Sequence, residues 1–359
     1  MRETGIITWH YYSNFGSVLQ SYALQEAIAE LGYEAEFVNY RNLKFGKPNQ
    51  AKNAVKLFLH YTLGCLFERF RIYPQAFSHK YLRQGKLVTD EQLLQALSRR
   101  YSTIICGSDQ IWAPNCYNPV YFAAFAGSRT RKVSYAASIG LNDIPAELVP
   151  KYKEHLEDFH AVSVRETEGK DLLKEKCGID ATVVLDPTLL HDAPFYQAIE
   201  QRVKGISSGK YLFCYFLNKE HNYRERAERY AKEHGLQIVG VSDRKDDATW
   251  MTRLTNLSAG HFIWLIHHAE TVMTDSYHGT IFSLLFHKEV WTFVRFAEDS
   301  PICQNSRIRQ LQDYFGENIQ VLGQNDEASK DRSIDFNLFE SRLKELRLQS
   351  LSFLKKALQ

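Results

Sequence analysis

Apolar residues in this chain fall into short runs separated by longer stretches in which they recur every three or four positions. Short apolar runs bounded by turns read as buried strands, and the three-to-four spacing reads as helix. In the first half the strands expected are 5–10, 34–40, 102–107, 131–137, 161–165 and 181–185. In the second half they are 210–217, 236–242, 271–275, 290–294 and 319–322. Between the first two lies Ser17 to Ile28, where Val18, Leu19, Tyr22, Ala23 and Ile28 share one side of a helix.

Alternating strands and helices predict parallel sheets covered by helices, an α/β class. Asp186-Pro187 closes the first set, and Gly205-Ile206-Ser207-Ser208-Gly209 is a Gly/Ser turn before the second, so the boundary falls near 190–208. The expected layout is an N-terminal Rossmann-like domain over 1–195 and a C-terminal one over 205–330. The two would face each other across a GT-B-like cleft, with ligands beyond the carboxyl ends of the strands. Residues 331–359 carry Leu338, Phe339, Leu343, Leu346, Leu351 and Leu354 at helical spacing, expected as an outer helix without a chemical role.

One region breaks the alternation, a helical insertion over about 42–100. Within 41–86 basic residues such as Lys52, Lys56, Arg69 and Arg71 interleave with aromatics, against the single acid Glu68. Such a segment suits an anionic lipid surface or a diphosphate, and it equally suits a solvated basic face over the first sheet.

Composition narrows the field. A chain of 359 residues with 44% apolar content buries a large core and fits two domains. A net charge of +2 gives no argument for a nucleic-acid partner. The six cysteines are scattered with no C-x-x-C pair, so no zinc site or disulfide framework is indicated and the metal expectation is none. No signal-peptide pattern and no bilayer-length apolar stretch is present, which sets the expectation of a cytoplasmic protein, with the inner membrane face open through 41–86.

The chemistry concentrates at Thr274-Asp275-Ser276-Tyr277-His278-Gly279-Thr280, between the apolar runs Thr271-Val272-Met273 and Ile281 to Phe286. A strand turning into a helix here aims unpaired N–H groups at a ligand, an anion site by construction. Ser276 and Thr280 add hydroxyls, and His278 adds a group that exchanges protons near neutral pH. The plain alternative is that Ser276 caps the helix and His278 packs. His267 and His268 sit on an apolar helical stretch without acidic or cysteine neighbours at ligand spacing, and read as packing residues.

Further segments stand in order: Tyr12-Ser13-Asn14-Phe15-Gly16, Gly107-Ser108-Asp109-Gln110, Ser134-Tyr135-Ala136-Ala137-Ser138, Ser163-Val164-Arg165-Glu166 and Asp186-Pro187-Thr188. With the Ser-x-His-Gly motif, they resemble the polysaccharide pyruvyl transferase family from about residue 5 to about residue 315. The resemblance implies that phosphoenolpyruvate donates its three-carbon unit to two hydroxyls of one sugar, giving a cyclic pyruvate ketal and free phosphate. No metal or cofactor is implied. The partners implied are phosphoenolpyruvate and a sugar acceptor on a polysaccharide precursor, which in this family is often lipid-diphosphate-linked.

By that resemblance His278 matches the catalytic histidine, the general acid for carbon C3. Arg165 matches a family arginine that could hold the donor carboxylate or phosphate bidentately, its plain alternative being a surface pair with Glu166 or Glu168. Asp109 is the candidate base for the attacking hydroxyl, or a turn cap. Ser276, Tyr277, Gly279, Thr280 and Arg307 join Arg165 on the donor side; Asn14, Gly16, Ser138 and His10 are assigned to the acceptor. Two rivals remain: a GT-B glycosyltransferase using a nucleotide sugar, and a non-catalytic sugar-phosphate-binding protein.

Overall fold

The computed structural model describes residues 3–11, 14–41, 74–218, 223–297, 300, 303–316, 319–323 and 333–359. The first half holds a parallel sheet of β1 (Glu3–Ile7), β2 (Ala35–Phe37), β3 (Tyr101–Cys106) and β4 (Arg131–Ser134) in the order β2-β1-β3-β4. β5 (Ser163–Val164) and β6 (Thr182–Val183) pair with each other, and bridges Val133–Ala161 and Ala137–Val164 attach β5 beside β4. The second half holds β7 (Tyr211–Tyr215), β8 (Gln237–Val241), β9 (Thr252–Leu254), β10 (Thr271–Thr274), β11 (Glu289–Phe293) and β12 (Gln320–Leu322). Their order, β12-β11-β10-β7-β8-β9, is the Rossmann order, which reverses direction between β7 and β10.

All eleven expected strands are present at shifted ends. β9 is the addition. Its residues Thr252, Arg253 and Leu254 are partly or fully exposed on a sheet edge, so no apolar run marks it.

The helices are α1 (Phe15–Glu30), α2 (Pro74–Tyr81), α3 (Glu91–Ser98), α4 (Val149–Leu156), α5 (Thr167–Leu172), α6 (Ala193–Gln197), α7 (Tyr223–His234), α8 (Ala259–His267), α9 (Tyr277–Leu285), α10 (Ser306–Phe315) and α11 (Phe336–Leu358). Helix α1 is buried on more than the one side its spacing suggested: Gln20, Ser21 and Gln25 are buried too. It is enclosed by the first sheet, by α2 and by the second half, and its amides bond internally. Gln20 donates to the Ser17 carbonyl at 2.9 Å and Gln25 to the Tyr81 carbonyl at 3.1 Å. Phe15 stacks on Phe262 of α8, ring centroids 4.7 Å apart. Burying such a ring contributes about 2–3 kcal/mol, so the two halves share apolar core where they meet.

The C-terminal helix does more than cover an outer face. Phe339 and Leu343 of α11 pack into the second half, while Leu354, Ala357 and Leu358 pack under α1 in the first. Along the way Ser350 accepts from the Leu185 N–H at 3.0 Å, and Arg347 donates to the carbonyls of Leu189 and His191 at 2.8 and 2.9 Å. It therefore clamps the loop that carries Asp186. Of the insertion, α2 and α3 are described; Lys52, Lys56, Arg69 and Arg71 lie outside the described residues.

Candidate active site

Each chemical segment leaves the carboxyl end of a parallel strand, so the fold gathers them between the two sheets. β1 leads to α1, β3 to Asp109, β5 to Arg165 and Glu166, β6 to Asp186, and β10 to α9.

His278 stands in the first turn of α9 and faces the first turn of α1 from across the cleft. A Cβ built on Gly16 would lie 2.1 Å from His278 Nδ1, so only glycine allows this approach. His278 Nε2 lies 3.6 Å from Asp186 Oδ2 and makes no hydrogen bond within the protein. Two helix N-termini thus converge on one imidazole, whose Nε2 faces the Asp186 carboxylate without a hydrogen bond.

Asp186 is wholly buried and organises what surrounds it. Its Oδ2 accepts from Arg165 Nη1 at 2.9 Å and Ser108 Oγ at 3.1 Å; its Oδ1 accepts from the Thr188 N–H and hydroxyl at 2.9 and 2.6 Å. Burial alone would push this carboxyl up, but His278, Arg165 and Thr188 outweigh it and hold the group well below the usual carboxylate range.

Arg165 is 2% exposed, so the surface pair is excluded; its partner Glu166 is as expected, at 2.9 Å from Nε, but equally buried. With Nη1 on Asp186, two of its donor positions are engaged, and Nη2 is left buried without a partner. The fork expected for a ligand is therefore largely occupied. Burial opposes the Arg165 charge, while Glu166, Tyr277, Asp186 and Asp109 raise its pKa and keep it cationic. Glu166 accepts as well from Ser138 Oγ at 2.6 Å, which gives Ser138 a structural partner.

Asp109 sits at φ 78°, a left-handed conformation uncommon outside glycine. It accepts from the Gln110 N–H at 2.9 Å and from Ser17 Oγ, which ties the β3 turn to α1. Asn14 caps α1, accepting from the N–H groups of Gly16 and Ser17 at 2.9 and 3.3 Å.

Tyr277, on the opposite wall, lies between two cations: the guanidinium carbons of Arg165 and Arg307 are 4.7 and 5.8 Å from its ring centroid. Burial, and then the neighbouring Arg165 charge, push Arg307 down to about 10. Arg295 donates to the Asp275 carbonyl at 3.0 Å. Burial pushes the Asp275 carboxyl up, although it accepts from the N–H groups of Leu217 and Asn218 at 2.7 and 2.8 Å. Arg295 and Arg307 thus stand on the second-half side of the cleft, with Arg165 of the first half meeting them across Tyr277.

The motif's other members turn inward. Ser276 caps α9, accepting from the Gly279 N–H at 3.3 Å. Thr280 shares a 2.9 Å contact with Thr292, and a Cβ on Gly279 would meet Thr274 Oγ1 at 2.7 Å. His10 is separate from the group: its ring packs 5.0 Å from Phe37, its Nδ1 lies 3.1 Å from the Thr8 carbonyl, and burial pushes it down to about 4.

The model of the family described as polysaccharide pyruvyl transferase matches residues 14–295. The chain belongs to the polysaccharide pyruvyl transferase family. The match spans the cluster from Ser17 to Arg295 and leaves Arg307 outside. No curated protein matches the chain. Among solved structures, the UDP-GlcNAc 2-epimerase of Methanocaldococcus jannaschii aligns over 98% of this chain and 99% of its own, at 10% identity and TM-score 0.55. The ADP-heptose lps heptosyltransferase II of E. coli aligns over 97% and 99%, at 11% identity and TM-score 0.42. The epimerase match is a likeness of fold, and the family member is GT-B-like. Among its described residues no helix is long and apolar enough to cross a membrane.

Several members of the cluster were not singled out from sequence: Asp186, Ser17, Ser108, Thr188 and Arg295. A signal existed for Asp186, since Asp-Pro-Thr directly after an apolar run caps a tight turn at a strand end. Ser17 and Arg295 carried none, because their partners are 92 and 20 residues away.

Proposed function

We propose that this family member moves the enolpyruvyl unit of phosphoenolpyruvate onto two hydroxyls of one sugar in a polysaccharide or lipid-linked precursor, forming a pyruvate ketal and releasing phosphate. The observation that carries this reading is the Nε2 of His278, without a hydrogen bond and 3.6 Å from Asp186 Oδ2, next to Tyr277 with the guanidiniums of Arg165 and Arg307 on its ring. A small dianion with a protonatable carbon needs those two things together.

In this reading Arg307, Arg295 and the N-terminus of α9 hold the donor's carboxylate and phosphate. His278 gives a proton to C3, which becomes a methyl, and C2 turns electrophilic. The first sugar hydroxyl attacks C2 while Asp109 takes its proton; the C2–O bond to phosphate breaks; the second hydroxyl closes the ketal. Of the two hydroxyl protons, one replaces that given to C3 and the other leaves with phosphate. Asp186 touches neither substrate; it positions His278 and Arg165. The acceptor lies against the first domain, near Asp109 and Asn14. Phosphoenolpyruvate is an intracellular metabolite, so this reading places the protein in the cytoplasm. No step needs a metal.

A second reading, a glycosyltransferase using a nucleotide sugar, has one feature in its favour. A cavity of about 290 Å³ opens beyond β7, β8 and β9, with Trp250, Asp243 and Arg244 in its lining. An acid just after the second strand of a Rossmann sheet is where a ribose is held. Turnover in heavy water with phosphoenolpyruvate and a panel of sugar precursors tests the first reading. It predicts phosphate release and one deuteron in the ketal methyl; glycosyl transfer from a nucleotide sugar would replace it with the second.

A further inference from the structure

At the other end of the second sheet from the cleft, three side chains meet that the sequence kept apart. His267 ends α8, His268 follows it, and Glu200 comes from the segment joining the two sheets. Strand β10 separates them from His278, roughly 13 Å at about 3.3 Å per residue. Glu200 lies between the imidazoles, Oε2 at 3.0 Å from His267 Nδ1 and Oε1 at 3.4 Å from His268 Nε2. One ligand atom from each of the three lies within 4.8 Å of the others. The sequence-based expectation that these histidines lack an acidic neighbour fails because Glu200 is 67 residues away along the chain.

We propose that Glu200, His267 and His268 form a binding site for a divalent transition metal, zinc by ligand chemistry, that pins the interdomain segment to the second domain. Two imidazoles and a carboxylate suit zinc, with bonds of about 2.0–2.2 Å. Ligand atoms on a tetrahedron of that size sit about 3.3 Å apart, and each Glu200 oxygen lies 3.0 or 3.4 Å from the ring nitrogen it faces. The far nitrogen of the His268 ring is also held, as orienting partners of metal-ligating histidines are. Ser208 Oγ lies 2.9 Å from His268 Nδ1 and can accept from it; the Gln197 side-chain nitrogen lies 3.3 Å from His267 Nε2, and turning that amide over presents its oxygen to the ring N–H of a ligating His267.

Aromatic faces fix both rings as well. His268 stacks on Trp264 and His267 on Phe286, each with centroids 4.7 Å apart. The side chains are 23–27% exposed, so an ion can enter and water can take the fourth position. Ser208, Glu200 and Gln197 all lie on the joining segment or its edge, whereas the histidines belong to the second domain. A bound ion therefore fastens one to the other.

The test uses the full-length protein stripped of metal with a chelator and titrated with zinc(II). Wild type should bind one equivalent saturably and melt at a higher temperature with zinc than without. Glu200→Gln and the double variant His267→Gln, His268→Gln should lose that equivalent, and Ser208→Ala should bind about tenfold more weakly. Phosphoenolpyruvate affinity should be unchanged in all of them, which separates this site from the cleft. Cobalt(II) in wild type should give the intense visible bands of a four-coordinate ion, a readout that does not depend on whether the variants fold. Absence of saturable zinc binding in wild type, weak six-coordinate cobalt bands, or equal zinc binding in the double variant would each reduce the triad to a hydrogen-bonded ion pair and overturn the proposal.

Discussion

The carboxyl ends of the two sheets face the same cleft but present opposite chemistry. The first half offers the carboxylates Asp109, Glu166 and Asp186 with the guanidinium of Arg165 bound among them. The second offers Arg295, Arg307, His278 and the N-terminus of α9, around the carboxylate of Asp275. An acidic wall hydrogen-bonds sugar hydroxyls and takes protons from them, while a cationic wall holds an anionic donor. The lesson is that an arginine's sign does not settle its job. Arg165 is a cation of the acidic wall, and it balances buried carboxylates there.

The largest expected effect tests the cationic wall at its proton donor. His278→Ala should lower kcat by roughly 10²–10⁴-fold with the fold intact by circular dichroism. Thr280→Ala, two residues on, should change kcat little, because its hydroxyl faces Thr292. Equal losses in the two variants would dissolve the distinction between them.

Next comes the contact between the walls. Gly16→Ala improves helix propensity yet places a methyl against His278 Nδ1. The imidazole must move, and a misplacement of about 1 Å costs on the order of 10²-fold in rate. Stopped-flow turnover with wild-type melting behaviour is the expected pair of results; unchanged kcat would mean that this approach has no part in the chemistry.

The two arginines then sharpen the comparison. Arg165→Lys cannot bridge Asp186 and Glu166 together and should destabilise the protein by about 3 kcal/mol, read as a fall in Tm. Arg307→Gln should leave Tm unchanged and raise KM for phosphoenolpyruvate roughly tenfold, the loss of one charge-assisted contact. The reverse pattern would exchange their roles.

The smallest effect concerns pH. The folded Asp186 value lies below that of an unfolded aspartate, about 3.9. Its contribution to stability is therefore complete above that value and is lost as pH falls below it toward the folded value. Between about pH 4 and pH 2, wild type should lose Tm more steeply than Asp186→Asn. Parallel profiles would show that the carboxylate is not held low.

The fold was legible because its information is local. Parallel strands buried on both faces are continuous apolar runs, such as Tyr211–Tyr215, and any reading by period finds them. The edge strand Thr252–Leu254 lacks that run and was missed. At the site, the residues on a strand-to-helix turn were legible and their partners were not. His278 announced itself, but Asp186 meets it across 92 positions of sequence, and Glu200 meets His267 in the same way. Arg165 is legible as a ligand-holding arginine or a partner of Glu166; the second carboxylate on its fork, Asp186, is not. Tertiary contact decided those roles, and spacing along the chain does not encode it.

The central claim is that the cationic wall receives phosphoenolpyruvate. Calorimetric titration of wild type and Arg307→Gln with phosphoenolpyruvate and with nucleotide sugars measures it directly. The account predicts saturable binding of phosphoenolpyruvate to wild type, about tenfold weaker in the variant, and no comparable binding of a nucleotide sugar. Tight binding of a nucleotide sugar, with phosphoenolpyruvate silent in both proteins, would contradict it.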